Sequence, residues 1–140
     1  MSEIRSILRN HMKEKLAAGQ VVASMTVRLS RSLEIAARAN VPQGHIVLDP
    51  GIGFGKTPEQ SMMALARLDA LDQFGLPLLV GASRKRFIAS VIPSEPDQRL
   101  GGSLAAHLLA AQRGAKIIRA HDVADTVQAL RVATAIEDKR

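Results

Sequence analysis

Apolar residues recur at steps of three and four along the first part of the chain. Ile4, Ile7, Leu8 and Met12 fall on one side of a basic helix predicted over 2–18 and broken at Gly19. Val22, Met25, Leu29, Leu33 and Ala36 repeat the period and predict a second helix ending near Asn40, with Pro42 beyond it as a stop. The period then changes. His45-Ile46-Val47-Leu48-Asp49 is a short apolar run ending in a charge before Pro50-Gly51, the pattern of a buried parallel strand entering a loop.

The next helix carries its own start signal. Thr57 suits an N-cap, Pro58 the first helical position, and Gln60 completes a capping box, with Met62, Leu65 and Leu68 as the buried stripe. Leu76-Pro77-Leu78-Leu79-Val80-Gly81 reads as a second buried strand and 84–91 as a helix. After a loop over Pro93–Gln98, Leu104, Leu108 and Ala111 mark another helix, stopped by Gly114. A third strand, Ala115–Arg119, leads to His121-Asp122, and the last helix, about 123–137, is expected to bury Val127, Leu130 and Ala133 or Thr134. Strands alternating with helices imply parallel strands joined by right-handed crossovers, hence the α/β class.

Composition narrows what such a fold can do. Of the 140 residues 46% are hydrophobic, enough to exclude a disordered chain, and with three Phe the core must be aliphatic. The absence of cysteine removes disulfide scaffolds and thiolate metal sites. No run approaches the roughly 18 apolar residues of a membrane span, and the start Met1-Ser2-Glu3-Ile4-Arg5 lacks a secretion signal, so no membrane and a cytoplasmic setting are expected. The net charge of +6 raises nucleic acid as a partner. The basic residues are spread along the chain, however, and no Tyr or Trp is present for stacking on bases, which argues for solvated surface or small anionic substrates instead.

Candidate chemistry collects where the strands end. Asp49 follows the first, Ser83, Arg84 and Lys85 the second, Arg119 and His121 the third, at the end where parallel α/β folds bind ligands. Arg119 and His121, two apart in extended chain, project to one side. Singly, Asp49 before Pro50 would be a turn former, and Arg84 and Lys85 ordinary surface charge. Their coincidence at three strand ends favours a site for a polar heterocycle beside an anion. Asp122 is expected to cap the last helix, and His45 and His107 to be structural. The loop Gly51–Thr57 ends in Gly55-Lys56-Thr57 like a phosphate-cradling loop, but Pro50 stands where that motif needs its first glycine, and Lys56 spoils the dinucleotide pattern.

Three ordered segments resemble one family, dihydropteroate synthase of the folate pathway. They are Ile46–Thr57, Leu79–Lys85 and Ile117–Val123, and the likeness extends over about residues 21–137. The resemblance implies a (β/α)₈ TIM barrel of which this chain supplies strands 6–8 and their helices over 20–140, while the basic helix 1–19 lies outside the likeness with no role assigned to it. It implies condensation of p-aminobenzoate with a dihydropterin methyl diphosphate, releasing diphosphate. Asp49, Phe54, Gly81 and Lys85 would bind the pterin, and Arg119 and His121 the diphosphate. Arg86 stands where the family often has Ser at the p-aminobenzoate carboxylate, and an Arg there can serve the same anion; Ser61 replaces a usual Asn and Ala120 a common Val.

A whole barrel needs roughly 200–250 residues. The chain is therefore expected to lack the first five strands and, with them, the protein ligand of the Mg²⁺ that the family implies. It is expected to be inactive alone and to pair with an N-terminal half or a second copy. Two other classes stay open: a non-catalytic binding or assembly module that uses 2–18 as a contact helix, and a P-loop-like nucleotide binder.

Overall fold

The computed structural model describes residues 32–139. The basic helix predicted over 2–18 and the first part of the next one lie outside the described residues. Helix α1 (Ser32–Arg38) is followed by a 3₁₀ turn (Gln43–His45), α2 (Pro58–Ala66), a second 3₁₀ segment (Leu68–Phe74) and β1 (Leu78–Val80). Then come α3 (Arg86–Val91), a 3₁₀ turn (Pro96–Gln98), α4 (Leu100–Gln112), β2 (Ala115–Ile118) and α5 (Val123–Glu137). The stop near Asn40 takes the expected form. Asn40 adopts a φ of 54°, and Val41 N–H donates back to the Ala36 carbonyl at 3.0 Å, a helix end that asparagine tolerates better than most residues.

β1 and β2 are parallel, with Leu79 opposite Ile117 and Val80 opposite Ile118. On the other side of β1 the predicted strand 45–49 shrinks to one residue. Leu48 bridges Leu78 in parallel, giving its N–H to the Pro77 carbonyl at 2.9 Å and accepting from Leu79 N–H at 2.7 Å. His45 is taken into the 3₁₀ turn and Pro50 has no N–H to offer. The ladder is thus limited to its centre, while the strand order and direction are those expected.

The core lies between these strands and the helices. Leu48, Ile52, Leu68, Leu78, Val80, Ala82 and Ala110 are all nearly inaccessible, with Leu65, Phe87, Ile88 and Ala106 around them. Each large side chain among them contributes roughly 1.5–3 kcal/mol by burial.

Two helices bury different faces from those expected. In α4 the buried residues are Ser103, Ala106, His107 and Ala110, one step round from Leu104, Leu108 and Ala111, which are half-buried. At one point α4 comes close to α3, where a Cβ at Gly102 would stand 2.5 Å from Ile88 Cγ2. An almost uniformly apolar helix offers no period to reveal its buried face. In α5 the buried residue is Thr126, with Leu130 and Ala133 half-buried, while Val127 and Thr134 are exposed. The Thr126 hydroxyl meets His107 Nδ1 at 3.2 Å, and that contact turns the helix.

Candidate functional site

The first strand end is a tied loop. Asp49, 9% exposed, accepts the Gly51 N–H on Oδ1 at 2.8 Å. The Gly51 carbonyl in turn accepts from Phe54 N–H at 3.0 Å and from Lys56 Nζ at 3.2 Å. Gly53 N–H donates to Ser61 Oγ, a hydroxyl buried at the start of α2, at 3.3 Å. Both Gly51 (φ 66°) and Gly53 (φ 73°) are left-handed, a conformation that glycine adopts at little cost. The capping box forms as the sequence predicts: Thr57 Oγ1 accepts Gln60 N–H and Gln60 Oε1 accepts Thr57 N–H. Lys56, the residue that suggests a phosphate loop, is folded back onto its own loop. Phe54 is left partly exposed.

The second strand end runs from β1 through buried Gly81, Ala82 and Ser83 to Arg84 and Lys85. Lys85 Nζ lies 3.9 Å from the centroid of the Phe54 ring, and its stem packs on Gly53, where a Cβ would come 3.1 Å from Lys85 Cδ. This is a cation on an aromatic face, an arrangement that strengthens as water is excluded. Partial burial pulls the Lys85 ammonium below its ordinary value, the Arg119 charge lowers it further, and the Asp49 carboxylate opposes both.

The third strand end leans onto the second. Arg119 N–H donates to the Val80 carbonyl at 2.9 Å, and its guanidinium lies over Gly81. His121 sits on Ser83, with its N–H 3.2 Å and its Nδ1 3.0 Å from Ser83 Oγ. Asp122 corrects an expectation. It occupies the N-cap position of α5 but makes no side-chain capping bond. Its carboxylate takes the Arg84 guanidinium instead, Oδ2 accepting from Nε at 3.1 Å and Oδ1 from Nη2. That fork holds Asp122 below the usual carboxylate range and raises Arg84.

The predicted residues Asp49, Phe54, Gly81, Lys85, Arg119 and His121 therefore gather at one end of the sheet. Arg86 is exposed at the first position of α3, with no side-chain hydrogen bond or ion pair among the described residues. His107 is buried and structural, as expected. Two supporting side chains, Arg99 and Ser103, carry no role in the sequence reading, while Ser83 enters it only as a strand-end residue and Ser61 only as a departure from the family. Arg99 is 9% exposed and binds the carbonyls of Ser94 and Arg84. A serine set among Met62 and Leu65 was a signal for Ser61; contacts such as Ser83 to His121, 38 residues apart, leave none.

Among the described residues no three His, Cys, Asp or Glu side chains converge. Asp122 is committed to Arg84 and one oxygen of Asp49 to Gly51. Among the described residues this donor set does not fit a divalent cation such as Mg²⁺. No helix among the described residues is long and apolar enough to cross a membrane.

Four matches with known proteins point one way. A family model described as "Pterin binding enzyme" matches residues 5–121, beginning inside the segment that the motifs leave apart. The dihydropteroate synthase of Escherichia coli K12 is 41% identical over 124 residues, covering 89% of this chain and 44% of that protein. Among solved structures, the Yersinia pestis dihydropteroate synthase superposes with a TM-score of 0.79 at 33% identity, covering 91% of this chain and 66% of the other. The Xanthomonas albilineans enzyme in complex with 7,8-dihydropteroate superposes at 0.73 with 47% identity, over 75% of this chain and 40% of the other. The chain thus spans under half the length of the Escherichia coli protein, and its parallel strands and helices are part of a TIM-barrel fold.

Proposed function

The chain belongs to the pterin-binding enzyme family, and from that premise we propose that its strand ends form the pterin and diphosphate portion of a dihydropteroate synthase site. The Leu48 bridge, β1 and β2 are then the sixth, seventh and eighth barrel strands. The observation that carries the reading is Lys85 Nζ at 3.9 Å over Phe54, with Asp49 and Arg119 close enough to act on its charge.

Asp49 has one oxygen engaged by Gly51 N–H, leaving the other to accept from the N–H edge of a pterin. Lys85 donates to the pterin carbonyl, and Phe54 and Gly81 line the ring's pocket. Arg119 and His121 take the diphosphate. Ser83 Oγ accepts the His121 amide proton, and in the tautomer where it gives its own proton to Nδ1, the Nε2–H is left for the anion. When the amine of p-aminobenzoate attacks the pterin methylene, the C–O bond to diphosphate breaks and negative charge grows on the leaving oxygen. Hydrogen-bond donors already aimed at that oxygen lower the barrier without reorganising. The amine proton leaves to solvent. Arg86 serves the p-aminobenzoate carboxylate.

These 140 residues span 44% of the Escherichia coli protein, and on their own they are expected to bind ligand without turning it over. The test is an assay of dihydropteroate formation by the purified chain, with and without a separately produced N-terminal barrel half. No product alone and product after mixing are expected, with Lys85→Ala in the mixture losing roughly 10- to 100-fold, the weight of one charged hydrogen bond. Turnover by the chain alone sinks the claim of inactivity. A stable assembly that makes no product sinks the assignment.

A further inference from the structure

Arg84 is held from three directions. Its N–H donates to Ser103 Oγ at 2.9 Å, its carbonyl accepts from Arg99 Nη1 at 3.0 Å, and its guanidinium forks onto Asp122 with Nε to Oδ2 at 3.1 Å. Its φ is 57°. A residue with a Cβ keeps that left-handed conformation only where its surroundings impose it. The surroundings here are firm: Ser103 is 1% and Arg99 9% exposed, and Ser103 Oγ is itself tied to the Arg99 carbonyl at 2.7 Å.

Asp122 forgoes a role to meet it. A side-chain cap at the start of a helix is normally stabilising, yet Asp122 makes none and turns its carboxylate to Arg84. Each charge of this pair is met first by the other, through two hydrogen bonds.

The chain neighbours of the pair are the groups assigned to ligands. Ser83 precedes Arg84, His121 precedes Asp122, and the two meet at 3.0 Å. Lys85 follows Arg84 and stands over Phe54. Any shift of the pair therefore moves the imidazole and the ammonium together.

We propose that Arg84 and Asp122 are a positioning pair that ties the loop after β1 to the start of α5 and so sets Lys85 against Phe54 and His121 against Ser83. The inference deepens the proposed function and rests on its assignment of Lys85 and His121. Its test is read without ligand, so the two fail separately.

The test is solution NMR of the full chain and its variants Asp122→Asn, Asp122→Glu and Arg84→Lys. Lys85 over an aromatic face gives ε-methylene protons shifted upfield by the Phe54 ring, and His121 bonded at Nδ1 gives the ¹⁵N shift of an Nε2–H tautomer. Asp122→Asn is expected to move the Lys85 signal most of the way to its free value and to average the His121 tautomers. Asp122→Glu, which keeps the carboxylate, is expected to restore both, and amide protection at Leu48 and Leu79 reports that the strands persist throughout. If Asp122→Asn loses the strands, the same signals are read in Arg84→Lys, which keeps the charge and loses the fork. Wild-type Lys85 and His121 signals in a folded Asp122→Asn or Arg84→Lys variant overturn the proposal.

Discussion

The guanidinium of Arg119 lies against the α-carbon of Gly81, so close that a Cβ there would stand 2.8 Å from Nη2 and 3.0 Å from Nε. Gly81 thus acts as an absence, the space in which the guanidinium proposed for diphosphate rests. In Gly81→Ala the flexible Arg side chain is displaced more readily than the backbone. The expected result is a stability loss of no more than about 1 kcal/mol in chemical denaturation. Affinity for inorganic diphosphate should fall by roughly tenfold or more, the weight of one charged hydrogen bond. Isothermal titration and a urea melt on the same sample separate the two effects.

Lys85 should lose its proton at a lower pH than an ordinary lysine, because burial and Arg119 outweigh Asp49. Its donor function is present below the folded-state value and is lost as pH rises through it, so pterin affinity should decline on the alkaline side before 10.5. In the window between the folded value and the unfolded one, the unfolded chain holds the proton that the folded chain has released. Stability therefore rises with pH there. A ¹³Cε titration of Lys85 checks the midpoint, and Arg119→Met should raise it.

His107 should produce an acid-side loss of stability. Its Nδ1 meets Thr126 and its Nε2 is buried without a hydrogen-bond partner. Burial holds the imidazole below 6.5, with Asp122 a weaker influence in the opposite direction. Below that value the unfolded chain binds a proton that the folded chain refuses, so stability is present above 6.5 and falls with pH until the folded imidazole titrates. Denaturant midpoints measured from pH 7.5 downward should show this slope. His107→Gln, which cannot titrate, should flatten it; an unchanged slope assigns the acid sensitivity elsewhere.

The Gly51–Thr57 loop should respond to its buried anchor more than to its lysine. Ser61→Ala strands the Gly53 N–H in a part-buried site and should cost about 1–3 kcal/mol. Lys56→Met removes only a half-buried contact to the Gly51 carbonyl and should cost under about 1 kcal/mol. Because Lys56 is turned into its own loop, neither ATP nor GTP should bind the wild-type chain in calorimetry. Submillimolar nucleotide binding lost in Lys56→Met would revive the phosphate-loop reading.

Sequence alone determined whatever is written within a short window. The capping box of Thr57 and Gln60 involves groups three residues apart and formed as predicted. So did the stop at Asn40, the direction of the strands, and the gathering of Asp49, Lys85, Arg119 and His121, which follows once three parallel strands end on the same side. The family was legible for the same reason, since its motifs are short runs.

Tertiary structure alone decided the rest. The buried faces of α4 and α5 came out rotated, and the contacts found there, Gly102 beside Ile88 and His107 with Thr126, leave no periodic trace in the sequence. Among the described residues the first strand pairs only with β1, through Leu48 and Leu78, and Pro50 at its end offers no N–H. Asp122 carried a local signal for a helix cap, and a guanidinium 38 residues away overrode it. A forked ion pair between two charged groups outcompetes a single capping bond. Such a partner becomes visible only when the crossover through α4 has brought the ends of β1 and β2 side by side.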